Sequence, residues 1–218
     1  MLLIKKSTIQ EILKTRKFIN KKKTMKKTLI ILLITSVNFI SAQQIFPLNT
    51  SKIDYPNGAY YKDLDGELNQ YVGTWKGTWN GKTVYLQLKK IKDRSTANDG
   101  TYYDSDQIVG ERKIISSSGA IEIDRITNFN QSSPEFYGIF GQYNNYSQKF
   151  LLFHPDNMCG KSANVNITFT NLEKTQMKLH YEYNPSGINE SCQYYNQIMV
   201  QGQDWPFNFP KDIVLTKQ

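Results

Sequence analysis

YVGTWKGTWNGKTVYLQLKK, residues 71–90, is the stretch that decides the fold. Asn80-Gly81 is a strong signal for a two-residue hairpin turn, because both residues tolerate the positive φ that a type I′ turn demands. A turn there fixes the pairing outward: Trp79 with Lys82, Thr78 with Thr83, Gly77 with Val84, Lys76 with Tyr85, Trp75 with Leu86, Thr74 with Gln87 and Gly73 with Leu88. Strand alternation then places Gly73, Trp75, Gly77, Val84, Leu86 and Leu88 on one face, and Thr74, Lys76, Thr78, Thr83, Tyr85 and Gln87 on the other. One face is apolar and one polar, in a register that the turn chose independently. A helix over the same residues would have to absorb Gly73, Gly77 and Gly81 along with three threonines, against propensity. The doubled Gly-Thr-Trp reads as a large-small alternation in which each glycine leaves room for a neighbouring indole.

The downstream chain keeps this rhythm. Ile108 to Ser116, Ala120 to Thr127, Phe136 to Phe140, Lys149 to His154, Asn164 to Thr170, Gln176 to Tyr183, Tyr194 to Gln201 and Asp212 to Lys217 read as short strands. Turn-forming clusters separate them at Asn98-Asp99-Gly100, Ser117-Ser118-Gly119, Ser132-Ser133-Pro134 and Asn184-Pro185-Ser186-Gly187. Only Leu64 to Tyr71 suggests a helical turn. About ten antiparallel strands in one domain predict an all-β chain, a single barrel of calycin or lipocalin type, with a β-sandwich as the alternative. Residues 69–218 would form that domain and 43–68 an extended N-terminal arm.

Charge is unevenly distributed. The chain holds 27 basic and 19 acidic side chains, a net charge of +8, but ten of the basic and one of the acidic ones fall within residues 1–42. The remainder, 17 against 18, is near neutral, which argues against nucleic acid as a partner. The basic part reads as targeting sequence. Met25-Lys26-Lys27 opens a segment in which Leu29 to Ile40 is apolar and Ile40-Ser41-Ala42 ends on a small residue, so 25–42 is expected to be a signal peptide. Residues 1–24 would be an upstream extension, with Met1 and Met25 both available as starts. The apolar run is shorter than the roughly 20 residues of a membrane span, and the mature chain is expected to be exported, periplasmic or extracellular, from about Gln43.

An oxidising compartment bears on the two cysteines, Cys159 and Cys192. A disulfide between them is the first reading, contributing about 3 kcal/mol on the loop-entropy account. A metal site joining them to His154 and His180, or two buried free thiols, are the alternatives. Asp63-Leu64-Asp65-Gly66-Glu67 and the Asn98 to Asp106 segment are rich in carboxylates but lack the alternating ligand order of a calcium loop, and read as solvated turns. No Gly-x-Ser-x-Gly elbow, His-Glu-x-x-His or phosphate loop is present, so neither enzymatic activity nor a cofactor is expected.

Gly73-Thr74-Trp75 on a first strand, after a short helical turn and before an antiparallel meander, is similar to the lipocalin and calycin pattern. That resemblance implies a basic side chain packed across the tryptophan, with Lys217 or Arg125 to supply it. Tyr71 to Trp75, Ile108-Val109-Gly110-Glu111-Arg112, Leu151-Leu152-Phe153-His154-Pro155 and Asp212 to Lys217 together resemble a secreted family of Bacteroidota catalogued as domain of unknown function 6705. The resemblance implies export and one β domain, and carries no chemistry.

Two functional expectations follow. In one, the barrel holds a small apolar or amphipathic ligand, lined by Trp75, Trp79, Val84, Leu86 and Leu88, with Trp79 near the rim. In the other, the chain is a protein- or carbohydrate-interaction module whose contact surface draws on Tyr60, Tyr61, Tyr102, Tyr103, Tyr143, Tyr146, Tyr194 and Tyr195. An open interior would favour the first and a filled one the second.

Overall fold

The computed structural model describes residues 43–218 other than 51, 53, 54, 143, 144, 157, 184–187, 204 and 207, together with residues 11, 14–18, 20 and 21. For 140–148 and 183 only the backbone is described, where it is described at all. The chain divides into two compact units at Gln43/Gln44. In the first, residues 11, 14–18, 20 and 21 are helical. The signal peptide expected over 25–42, Tyr143, the side chain of Tyr146 and the turn at 184–187 lie outside the described residues.

The second unit grows from the hairpin. Strands β3 (Gly73–Trp79) and β4 (Lys82–Thr96) pair in the register read from the turn, from Trp79 opposite Lys82 to Gly73 opposite Leu88. Asn80 and Gly81 take φ of 49° and 76°, as the turn type requires. β4 runs on well past Leu88 to Thr96, and the 97–101 turn returns it as β5 (Tyr102–Ile115), paired along almost the whole length of both strands. The other strands are β1 (Ile45–Pro47), β2 (Ala59–Lys62), β6 (Ile121–Asp124), β7 (Phe136–Gln142), β8 (Asn145–Phe153), β9 (Ala163–Phe169), β10 (Gln176–Tyr183) and β11 (Asp212–Lys217).

The order β5-β4-β3-β11-β10-β9-β8-β7 closes on itself when β7 pairs back to β5, which makes an eight-stranded antiparallel barrel with three strands outside it. Closure selects the barrel over the sandwich. Two joints are narrow: β11 meets β3 through Thr216–Lys76 and Lys217–Trp75, and β5 meets β7 through Val109–Tyr137 and Gly110–Phe136.

Two expectations change. Tyr194 to Gln201 is no strand: Asn196–Val200 is a π-helical turn, in which the Gln201 amide donates to the Asn196 carbonyl at 3.0 Å. Both edges of β10 are already taken by β9 and β11, so this segment has no ladder to join. The 43–68 arm contributes β1 and β2, and both pairings there, β1 with β2 and β2 with β5, are parallel.

The core is packed among the described side chains. Trp75, Val84, Leu86, Ile108, Phe136, Leu151, Phe153, Val165, Met177 and Leu215 have no accessible surface, so no water-sized space borders them. A 3₁₀ turn, Glu67–Gln70, precedes β3 and sends Leu68, with the adjoining Tyr71, into the same cluster. The Trp75 indole N–H donates to the Tyr71 carbonyl at 2.8 Å, and Lys217 Nζ stands 5.3 Å from the Trp75 ring centre. Lys217 therefore occupies the place the resemblance assigned to a cation, while Arg125 lies elsewhere, on Glu111. The glycines make room for something other than indoles. A Cβ at Gly73 would lie 2.9 Å from Lys217 Cε, and one at Gly77 would lie 2.6 Å from the Val214 carbonyl oxygen.

Candidate functional site

Trp75, Val84, Leu86 and Leu88 sit in the packed core, and Trp79 is half-buried against it. None of the five lines either of the two hollows that border β5. Those hollows arise from the way β5 is paired. One edge of β5 belongs to β4 throughout, while the other takes three partners in turn: β2 at Tyr103 to Ser105, β7 at Val109 to Gly110, and β6 at Lys113 to Ile115. Between Ser105 and Val109 that second edge passes from β2 to β7, and neither ladder covers the interval.

A groove of about 530 Å³ opens over this interval. Its floor is the odd-numbered face of the hairpin, Ile91, Asp93 and Ser95 beside Tyr103, Ser105, Gln107 and Val109. Its walls are Gln131 to Pro134, Tyr137, the His154 and Asp156 segment after β8, and Lys52. A second hollow of about 440 Å³ adjoins it, sharing Lys52, Ser105 and Gln107, and is lined by Leu48, Leu68, Tyr71 and Ile139 among others. Tyr103 is held at the end of the groove by aromatic contacts, with ring centres 4.6 Å from Tyr55 and 5.5 Å from Tyr61.

The walls are fastened by a buried ionic network. Arg112 Nε donates to Glu135 at 2.8 Å, and Arg125 Nε donates to the fully buried Glu111 at 2.7 Å. Arg125 also reaches Asp156 and donates to the Ser133 carbonyl at 3.1 Å, so it ties together two of the segments that form the groove. Burial pushes the Glu111 carboxyl up, and Arg125 opposes that shift. Breaking such a pair leaves an uncompensated buried charge, at a cost of about 3–5 kcal/mol.

The opposite, even-numbered face of the protruding hairpin is a second charged layer. Lys92 and Arg94 pair with Asp104, while Lys90 pairs with Asp63. The Tyr60 hydroxyl donates to Asp106 at 2.6 Å; burial, then this bond, raises the phenol to about 12. Asp63, Asp104 and Asp106 are thus buried and satisfied, not the solvated turn residues expected from the sequence. No group of three or more His, Cys, Asp or Glu among the described residues could hold a metal ion. Cys159 and Cys192 form a disulfide, which removes them as thiolate ligands. His180 is a surface residue bonded to Asp212, and His154 is an exposed groove residue.

Of the tyrosines expected to form a contact surface, Tyr103 faces the groove. Tyr60 and Tyr102 lie under Lys92 and Arg94, Tyr61 is buried, and Tyr194 packs against the core. Sequence reading passed over Lys52, Asp93, Gln107 and Tyr137, which share no spacing. Only the change of partner along β5 brings them together.

The second unit is thus a closed β-barrel with a packed core among its described residues and a groove beside β5. The chain belongs to the family of unknown function DUF6705, which it matches over residues 25–218. No curated protein and no solved structure matches it.

Proposed function

We propose that this chain is an exported binding module that holds a carbohydrate in the lateral groove, without catalysis. The observation that carries the reading is the pairing of a filled barrel with a side groove that offers two tyrosine rings, Tyr103 and Tyr137, among Asp93, Gln107, Gln131 and His154. A sugar presents apolar C–H faces and a rim of hydroxyls, and rings flanked by carboxylates and amides match both. The signal-peptide pattern at 25–42, the secreted Bacteroidota resemblance and the disulfide support export. Lys217 packed over Trp75 beside the 3₁₀ turn supports a calycin-like reading of the barrel.

NMR titration of labelled protein with a panel of neutral and acidic oligosaccharides tests the groove. Shifts are expected at residues 91–95, 103–109 and 131–137, and Tyr137→Ala should weaken binding about tenfold while Tyr85→Ala leaves it unchanged. Shifts confined to other surfaces would overturn the groove. A second reading, a small amphipathic ligand, is favoured by the adjoining hollow, where Leu48, Leu68, Tyr71 and Ile139 meet Lys52 and Lys149. A discrete adduct in the native mass that disappears on denaturation would support it, and Ile139→Arg should abolish that adduct.

A further inference from the structure

Lys52 stands at the junction of the two hollows and lines both. Its Nζ donates to Ser105 Oγ at 3.1 Å and lies 5.2 Å from the Tyr61 ring centre and 5.5 Å from that of Tyr103. Among the described residues, no carboxylate lies within ion-pairing distance of it. Asp63 is engaged by Lys90, Asp104 by Lys92 and Arg94, Asp106 by Tyr60, Asp156 by Arg125 and Asp93 by Gln107, while Glu67 lines the second hollow without pairing with Lys52. The half-buried ammonium is therefore met by ring faces and one hydroxyl, which compensate only part of its lost hydration. Burial lowers its pKa accordingly.

We propose that Lys52 anchors a carboxylate of an acidic sugar, seated where the two hollows meet. The inference rests on reading the groove as a carbohydrate site and names the class of sugar. A desolvated ammonium attracts an anion more strongly than a lysine in open water. At the junction itself Lys52 beside a neutral hydroxyl suits a monoanion, since a phosphate dianion would bring its second charge towards Asp93 and Asp106.

The test compares hexasaccharides of galacturonate, glucuronate and mannuronate with their fully methyl-esterified forms, in which a neutral methyl ester replaces each carboxylate, by NMR titration of the full chain. The wild type should bind at least one acid about tenfold more tightly than its ester. Lys52→Met should erase that preference without changing affinity for the ester, and Lys52→Arg should keep it. Should Lys52→Met fail to fold, the Lys52 side-chain resonances of the wild type must shift with the acid and not with the ester. Equal binding of acid and ester, or an unchanged preference in Lys52→Met, overturns the anchor and leaves the groove reading standing. If no acid, ester or neutral oligosaccharide binds at the groove, that reading fails and the anchor with it.

Discussion

At the scale of single residues, the hairpin glycines show how a missing side chain carries information. Gly77 is needed because β11 runs against it: a Cβ there would meet the Val214 carbonyl oxygen at 2.6 Å and Leu215 Cδ2 at 2.7 Å. A backbone atom cannot retreat without opening the short β3–β11 joint. Gly77→Ala should therefore cost about 1–3 kcal/mol in urea unfolding, the range of an overpacked core. An unchanged midpoint would mean that the joint is looser than its register implies. Asp124 gives a pH-dependent counterpart. Its carboxyl is held down at about 2, first by the Lys113 ammonium at 2.7 Å and then by the Thr127 amide. The unfolded chain takes up this proton first, near pH 4, so the stabilisation is complete above about pH 4 and is lost as pH falls towards about 2. The Tm gap between wild type and Asp124→Asn should be widest near neutral pH and close towards about pH 2; a constant gap would place its origin outside the carboxylate.

At the scale of elements, the register of β3 and β4 predicts opposite fates for neighbouring residues. Leu86 is fully buried and Gln87 points to the other face, so Leu86→Arg should unfold or aggregate the protein while Gln87→Arg expresses normally. Equal tolerance of the two would contradict the pairing. This part of the fold was legible because one two-residue turn set the pairing and hydrophobic alternation confirmed it. The same rule stops at Leu88. Beyond it Lys90, Lys92 and Arg94 continue the same face, and their partners are Asp104 on β5 and Asp63 just after β2. A charged layer carries no hydrophobic period, so the outer halves of β4 and β5 look like loop. β1 and β2 are three and four residues long, too short to show a period at all. Tyr194 to Gln201 failed in the opposite direction, since Tyr, Ile and Val suit a strand while the closed barrel has no edge for it there. The groove was the least legible part, because it is made by β5 exchanging β2 for β7, a property of topology that no short motif encodes.

At the scale of the whole molecule, closure keeps the packed core apart from the open hollows beside β5. Eight strands close the barrel around its core, and an open groove lies where an extra strand joins β5 from outside and leaves an interval uncovered. The long connection between β10 and β11 must then be held down without a ladder. It is fixed at one point by Phe209, whose ring lies 5.4 Å from that of Phe136 and 5.3 Å from that of Phe153. At another it is fixed by the disulfide, which ties Cys192 to Cys159 in the β8–β9 connection across a separation of 33 residues. On the loop-entropy account a crosslink of that span contributes about 3–4 kcal/mol. The Cys159→Ser, Cys192→Ser double variant should accordingly melt roughly 10 °C lower than the oxidised wild type. The reduced wild type should melt with the variant, which separates the loss of the bond from the loss of the two sulfur atoms. Because Cys159 follows the His154 and Asp156 wall, the variant should also show faster amide exchange along residues 154–162 while β3 and β4 stay protected. A melting temperature within a degree or two of the wild type would assign the hold on the β10–β11 connection to Phe209 packing instead, and Phe209→Ala would then carry the larger loss.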